Sequence, residues 1–95
     1  METKTIEVMA PRSSLTPCIL DDDREQLAVL SEMISEIGYE SLLTTDPEEA
    51  VRLVQSGICR VILADVHLPG IHAYEFLDRL LRVDPGVHVI IITKE

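Results

Sequence analysis

Two short apolar runs, each leading into aspartate, constrain the fold of this chain more than any other feature. Residues 18–20 lead directly into three consecutive aspartates at 21–23, and residues 61–64 lead into Asp65. Uncharged runs of this length are typical of strands buried in a parallel sheet. Because the carboxyl ends of neighbouring parallel strands meet at one edge, the sequence predicts a group of carboxylates there.

These carboxylates are expected to repel one another. Two like charges about 4 Å apart repel by roughly 4 kcal/mol at an effective dielectric constant near 20, so the group must be protonated, spread apart or holding a cation. Helix capping is the simpler alternative, and it accounts for Asp23 but not for Asp21 and Asp22. We therefore expect Asp21 and Asp22 to bind a metal, with Mg²⁺ favoured because carboxylate oxygens are hard ligands.

Composition excludes several classes of protein. The chain has 95 residues, of which 46% are hydrophobic and 26% charged, as expected for one small globular domain. No apolar run is long enough to cross a bilayer. The formal net charge of −9 argues against direct nucleic-acid contact by this segment. Residues 1–16 do not resemble a secretory signal, so we expect a cytoplasmic protein.

The pattern after residue 16 alternates short apolar runs with helical segments, which is typical of a parallel sheet with crossover helices. We expect residues 1–16 to be a flexible leader. The predicted strands are 17–21, 40–45 at the sheet edge, 60–65, and 87–93 as a further buried strand. The predicted helices run from about residue 24 to Gly38, from 47 to 56 before Gly57, and from about 73 to 83.

The two cysteines are predicted to be reduced and buried. Cys18 lies three residues before Asp21, and Cys59 lies six before Asp65. If the two aspartates end adjacent strands, the cysteines are offset by about three residues, or roughly 10 Å. We expect that separation to prevent a disulfide.

Three motifs in order resemble the receiver domain of two-component response regulators. They are ILDDD at 19–23, DVHLPGI at 65–71 and VIIIT at 89–93. The acidic pair ends 43 residues before Asp65, and Thr93 follows Asp65 by 28 residues. The resemblance covers residues 17–95 and implies a flavodoxin-like α/β fold with strand order 2-1-3-4. It also implies the N-terminal part of a longer receiver, because the family's fifth-strand lysine has no counterpart here.

The resemblance implies a role for each site residue. Asp65 corresponds to the phospho-acceptor, and Asp21 and Asp22 to the acidic pair that binds Mg²⁺ with it. Thr93 corresponds to the hydroxyl that contacts the phosphoryl oxygen and drives the switch. The backbone carbonyl of His67 completes the Mg²⁺ coordination. The implied donor is a sensor histidine kinase or a phosphotransfer protein, and the receiver catalyses its own phosphorylation without turning over a metabolite.

The chain departs from the family pattern at a few positions. Lys94 stands where a small residue is usual, and His72 and Ala73 replace an Asp or Asn followed by Gly. We expect Lys94 to be solvated and His72 and His88 to make ordinary packing or solvent contacts. The strand at 87–93 has no following helix to cover it, which favours self-association through that strand.

Two other functions fit parts of the sequence. A degenerate receiver would bind partners without phosphorylation, which Lys94 and the missing lysine permit. A phosphohydrolase of the haloacid dehalogenase type also begins with a strand ending in Asp-x-Asp, here Asp21 and Asp23, but that family has Thr or Val where this chain has Glu25. Many receivers precede a DNA-binding or ATPase domain, and transcription regulation is one expected output.

Overall fold

The computed structural model describes residues 16–65 and 72–92. The predictions for the leader up to residue 15, and for His67, Thr93 and Lys94, lie outside these residues. The strands are β1 (Cys18–Leu20), β2 (Leu42–Thr44), β3 (Val61–Asp65) and β4 (His88–Ile92). The helices are α1 (Arg24–Glu36), α2 (Pro47–Gln55) and α3 (Ala73–Val83).

The four strands form one parallel sheet in the order β2-β1-β3-β4. This confirms the predicted α/β fold, the strand order 2-1-3-4 and the position of β2 at an edge. Leu20 pairs with Thr44 on one side and with Ala64 on the other. The strands at the centre of the sheet therefore end at the same level.

Local sequence signals set the limits of α1 and α2. The Asp23 carboxylate accepts a hydrogen bond from the Glu25 backbone N–H at 2.9 Å, and the Asp46 carboxylate accepts one from Glu48 at 3.0 Å. Each bond satisfies one of the amide groups that a helix N-terminus leaves without an intrahelical partner. Gly38 and Gly57 follow the two helices with φ values of 93° and 79°, a region that glycine enters without strain.

Helices cover both faces of the central strands. On one face α1 packs against β1 and β3 through the buried residues Ile19, Leu27, Leu30, Ile34, Tyr39 and Leu63. On the other face α2 and α3 bury a second cluster that includes Leu20, Val54, Ile62, Phe76 and Leu80. Both faces of β1 and β3 are thus apolar, which explains why these strands contain no alternating polar residues.

The predicted burial of the last strand is wrong. β4 pairs with β3 as expected, but Ile90 and Ile91 are 42% and 40% exposed and His88 is exposed. Among the described residues, β3 is the strand that pairs with β4, and the outer edge of β4 carries no further strand. An apolar run indicates that a strand can be buried on both faces, but burial requires elements that cover it.

The structure agrees with the prediction of two reduced, buried cysteines. Cys18 pairs with Ile62, so the offset from Cys59 is three residues as expected. Both thiols are free and buried, which confirms that prediction. Their side chains nevertheless hydrogen-bond to each other. Cys59 precedes β3 in the connection from α2, so its side chain is not held at the spacing of a strand.

An ion pair joins α2 to α3 on the outer surface. The Arg79 guanidinium donates two hydrogen bonds to the Glu48 carboxylate, at 2.6 and 2.8 Å. A bidentate arrangement of this kind is the strongest geometry available to an arginine and a carboxylate. The hydrogen bonds from Arg79, assisted by its charge, lower the pKa of Glu48 below its usual value. None of the helices in the described segments is long and apolar enough to span a bilayer.

The Glu48→Gln variant should be less stable than the wild type near neutral pH, and the difference should shrink in acid. The pKa of Glu48 is lower in the folded chain than in the unfolded chain. The stabilisation is therefore present above the unfolded pKa, about 4.3, and is lost as the pH falls toward the folded value. Urea denaturation of both proteins from neutral pH to about pH 3 measures this.

Glu36→Gln, on the exposed last turn of α1, is the matched control. It removes one carboxylate from the surface without touching the α2–α3 contact. A stability difference for Glu48→Gln that stays constant over the whole pH range would contradict the assignment of this pair.

Candidate metal centre

The structure brings three of the predicted site residues together at the carboxyl edge of the sheet. Asp21, Asp22 and Asp65 each offer a carboxylate oxygen, and these oxygens lie within 4.8 Å of one another. Asp21 directly follows β1, and Asp65 is the last residue of β3. Because Leu20 and Ala64 are paired, the next residue on each strand reaches the same level of the sheet.

The chain leaves β1 through a turn that orients the first carboxylate. Asp21 accepts a hydrogen bond from the Asp23 backbone N–H at 2.9 Å, and its own backbone N–H donates to the Thr44 carbonyl at 3.2 Å. A side chain that bonds to the backbone two residues later replaces a backbone turn and holds itself in one orientation. Asp23 serves as the N-cap of α1, so the three consecutive aspartates have different positions and contacts.

Two of the clustered carboxyl groups are removed from solvent. Asp21 is 1% exposed and Asp65 is 3% exposed, whereas Asp22 is exposed. Charges at such a separation repel by roughly 3 to 4 kcal/mol per pair at an effective dielectric constant of 20. A cation between the oxygens would replace this repulsion with attraction, and Asp22 provides the side of the site that is open to water.

Other residues that the sequence singled out lie elsewhere or outside the described segments. His72 is the exposed N-cap residue of α3 and makes no side-chain capping bond, and His88 is exposed on β4. His67 and Thr93 fall in the ranges 66–71 and 93–95, which are not described. Asp65 and Ile92 are partners in the β3–β4 register, so the described part of β4 ends beside Asp65.

Sequence reasoning missed a groove beside the carboxylates. This groove has a volume of about 380 Å³ and lies between the first turns of α1 and α2 and the end of β2. Arg24 of α1, Leu43 of β2 and Glu49 of α2 are among the residues that line it. They belong to three separate elements, and no spacing in the sequence relates them. The parallel pairing of β1 with β2 is what makes them neighbours.

Comparison with known proteins identifies a single family across most of the chain. The family model "Response regulator receiver domain" matches residues 18–95. The "DNA-binding transcriptional regulator NtrC" of Bradyrhizobium sp. is 30% identical over 77 residues, which make up 81% of this chain and 16% of that protein. The "Sporulation initiation phosphotransferase F" of Bacillus subtilis is 28% identical over 75 residues, 79% of this chain and 60% of that protein.

Solved structures agree with the sequence comparison. The receiver domain of NtrC4 from Aquifex aeolicus superposes with a TM-score of 0.71 at 26% identity, and the match covers 85% of this chain and 68% of that one. The chain therefore spans about a sixth of the first curated relative and about two thirds of a solved receiver domain. Activities named for the longer relatives belong to those proteins.

A divalent cation should raise the free energy of unfolding of the wild-type chain. A ligand that binds only the folded state stabilises it by about 2.7 kcal/mol at one hundred times its Kd. Urea denaturation with Mg²⁺ as the probe, compared with a chelator, measures the effect. In Asp22→Asn the increase should be largely lost, because one ligand is removed from the exposed side of the cluster where the fold is least affected.

Glu32→Gln, an exposed position on α1, keeps the cluster intact and is the matched control. It should respond to Mg²⁺ as the wild type does. Equal responses from Asp22→Asn and Glu32→Gln would show that the cation acts through general screening rather than at the three carboxylates.

Proposed function

This chain belongs to the response regulator receiver domain family, and on that premise we propose that residues 17–95 accept a phosphoryl group on Asp65 in a Mg²⁺-dependent reaction. Receivers of this family are signalling modules of two-component systems. The main support for this proposal is the convergence of Asp21, Asp22 and Asp65 at the carboxyl edge of the sheet.

Asp65 is the acceptor we propose because of its position among the three. It ends the central strand β3, is buried, and lies between the acidic pair that follows β1 and the end of β4. A rigid strand end holds a carboxylate in one place, which suits a nucleophile that must meet a phosphorus atom in line. Asp22 is exposed on the turn after β1 and lacks this restraint.

The donor set suits Mg²⁺. Octahedral Mg²⁺ binds oxygens at about 2.1 Å, which places opposite ligands about 4.2 Å apart. Adjacent ligands of the same ion are about 3.0 Å apart, and at least two of the three oxygen pairs must be adjacent. The oxygens of Asp21, Asp22 and Asp65 lie within 4.8 Å of one another, so the three carboxylates would draw closer together around the ion. When bound, Mg²⁺ would neutralise charge on the carboxylates and on the incoming phosphoryl oxygens.

In the proposed reaction, an oxygen of the Asp65 carboxylate forms a bond to phosphorus as the phosphorus–nitrogen bond of a donor phosphohistidine breaks. The donor imidazole leaves with the electron pair of that bond. We propose a sensor histidine kinase or a phosphotransfer protein as the donor. The part of Asp21 and Asp22 is to hold the metal and keep the site polar.

Two further roles follow from the family and concern residues outside the described segments. We propose that the Thr93 hydroxyl contacts the phosphoryl oxygen and that the His67 backbone carbonyl completes the Mg²⁺ coordination. Ile92 pairs with Asp65 in the parallel register, and Thr93 is the next residue in the sequence. His67 follows Asp65 by two residues. Both are therefore close in the chain to the described part of the site.

Incubation with acetyl phosphate and Mg²⁺ should add one phosphoryl group to the wild-type protein, as measured by intact mass. The added mass should be lost on brief alkaline treatment, as expected of an acyl phosphate. Asp65→Asn should show no gain, because its amide is not a nucleophile for phosphorus. A chelator should prevent the gain in the wild type.

Asp78→Asn is the matched control, since this aspartate lies on the exposed surface of α3. It should be phosphorylated as the wild type is. A gain that survives in Asp65→Asn would overturn the assignment of the acceptor. No gain in a folded, Mg²⁺-binding wild-type protein would favour the degenerate receiver, which binds partners without phosphorylation.

The hydrolase alternative is not retained. It requires Asp23 as a second functional carboxylate, but Asp23 caps α1 and the clustered third carboxylate is Asp65. We propose a cytoplasmic location and no direct nucleic-acid contact by this acidic segment. DNA binding is named for the NtrC relative, of which this chain spans a small part.

We also propose that this segment self-associates through β4. Ile90 and Ile91 point to opposite faces of the sheet, and both are exposed. Within residues 16–65 and 72–92, the outer edge of β4 is left without a pairing strand. An exposed apolar edge strand is a template for a second chain, and two copies related by a two-fold axis would pair their β4 strands antiparallel.

Sedimentation velocity over a range of concentrations tests this proposal. The wild type should show a dimer that increases with concentration, and Ile91→Lys should shift the protein toward monomer because a charge at the edge opposes pairing. Val29→Lys is the control, since Val29 is 52% exposed on α1, away from β4. A wild-type protein that is monomeric at every concentration, or equal losses in both variants, would contradict the use of β4.

A further inference from the structure

A pair of thiols lies in the core at the end of the sheet opposite the carboxylates. Cys18 is the first residue of β1, and Cys59 lies in the short connection between α2 and β3. Both are 0% exposed, and both belong to the apolar cluster that α2 and α3 cover. Forty residues separate them in the chain, so the contact joins two distant segments.

Hydrogen bonds place the two sulfur atoms side by side. The Cys59 thiol donates to the Val61 carbonyl at 3.0 Å, which uses its single proton. The hydrogen bond between the two thiols therefore runs from Cys18 to the Cys59 sulfur. The backbone of Cys18 also hydrogen-bonds to Cys59. The Cys59 sulfur is thus held against both the side chain and the main chain of Cys18.

We propose that Cys18 and Cys59 form a reversible intramolecular disulfide when the protein is exposed to a low-molecular-weight disulfide. No part of the receiver function requires these two residues, and they lie at the opposite edge of the sheet from Asp21, Asp22 and Asp65. The reaction is therefore a modification of the core that is separate from phosphorylation.

The chemistry proceeds by two thiol–disulfide exchanges. The Cys59 thiolate attacks one sulfur of the small disulfide, which forms a mixed disulfide and releases one small thiolate. Cys18 then loses its proton and attacks the Cys59 sulfur, which releases the second small thiol. The protein loses two protons and two electrons, and the small disulfide is reduced to two thiols.

The environment favours Cys59 as the first thiolate. Its hydrogen bond from Cys18 lowers the pKa of Cys59, whereas the same bond, together with burial, raises the pKa of Cys18. Cys59 also lies next to Ile58, which is 59% exposed, and close to Gly57. Opening of this surface connection exposes Cys59 without disturbing β1.

Closing the disulfide moves the connection before β3 rather than the sheet. The sulfurs must approach to about 2.05 Å, closer than a hydrogen bond holds them. Cys18 is fixed by its pairing with Leu42 and Ile62, and the Arg60 carbonyl accepts a hydrogen bond from His88 at the start of β4, so the movement falls on residues 58 and 59. This connection joins a helix to a strand and is not itself part of the sheet, so a shift there leaves the strand register unchanged.

The experiment equilibrates the native protein with mixtures of glutathione and glutathione disulfide, starting from both the reduced and the oxidised chain. After acid quenching and alkylation, intact mass distinguishes an internal disulfide from a mixed disulfide. Tryptic mapping should then recover peptide 13–24 linked to peptide 53–60, since these carry the two cysteines. The native chain should favour the internal disulfide at least about tenfold more than the same chain in urea, because the fold holds the thiols together.

Cys59→Ala and Cys18→Ala should each lose the linked peptide, and the wild-type comparison with urea does not depend on whether these variants fold. The internal disulfide should also raise the melting temperature of the wild type. Three results would overturn the proposal: an equilibrium no more favourable in the native chain than in urea, linkage between chains on a non-reducing gel, or accumulation of mixed disulfides alone.

Discussion

The parallel pairing of β1 with β3 is the interaction on which the rest of the structure depends. The register sets Leu20 beside Ala64, so the residues that follow, Asp21 and Asp65, emerge at the same level. A slip of one residue would turn every side chain of β1 to the opposite face and expose its apolar residues. Burial of β1 and β3 by helices on both faces therefore fixes the relative position of the two carboxylates.

This arrangement places like charges close together in a part of the fold that solvent hardly reaches. Asp21 and Asp65 are nearly inaccessible to solvent, so water screens their repulsion poorly. Part of the compensation is local, because Asp21 accepts a backbone hydrogen bond from Asp23. The core holds these carboxylates together, and only Asp22 among them is exposed. A bound cation would therefore stabilise the ionised carboxylates strongly.

The two cysteines lie at the opposite end of the same strands, where the sheet joins its connections. Cys18 begins β1, and Cys59 approaches it from a connection that no strand register controls. The register correctly predicted a three-residue offset along the sheet. It did not predict where a side chain outside the sheet would point. Strand register fixes the distance between residues within paired strands. It does not fix the position of a side chain in the connection before or after a strand.

The resemblance to receiver domains implied the strand order. The sequence by itself determined the order of elements and their caps. Both depend on local chemistry, such as Asp23 and Asp46 at the helix starts, and on the length and composition of the apolar runs. The motifs around Asp21 and Asp65 also identified the family. Strand limits were predicted to within one or two residues for the same reason.

Only the tertiary structure decided which neighbours each element has. Ile90 and Ile91 are exposed although their strand is as apolar as β3. A strand is buried only where other elements cover it, and its own sequence does not determine which elements do so. The tertiary structure also brought together the thiols of Cys18 and Cys59, and it formed the groove beside α1 from three separate elements. Each of these depends on distances between segments far apart in sequence, and such distances arise only when the whole chain packs.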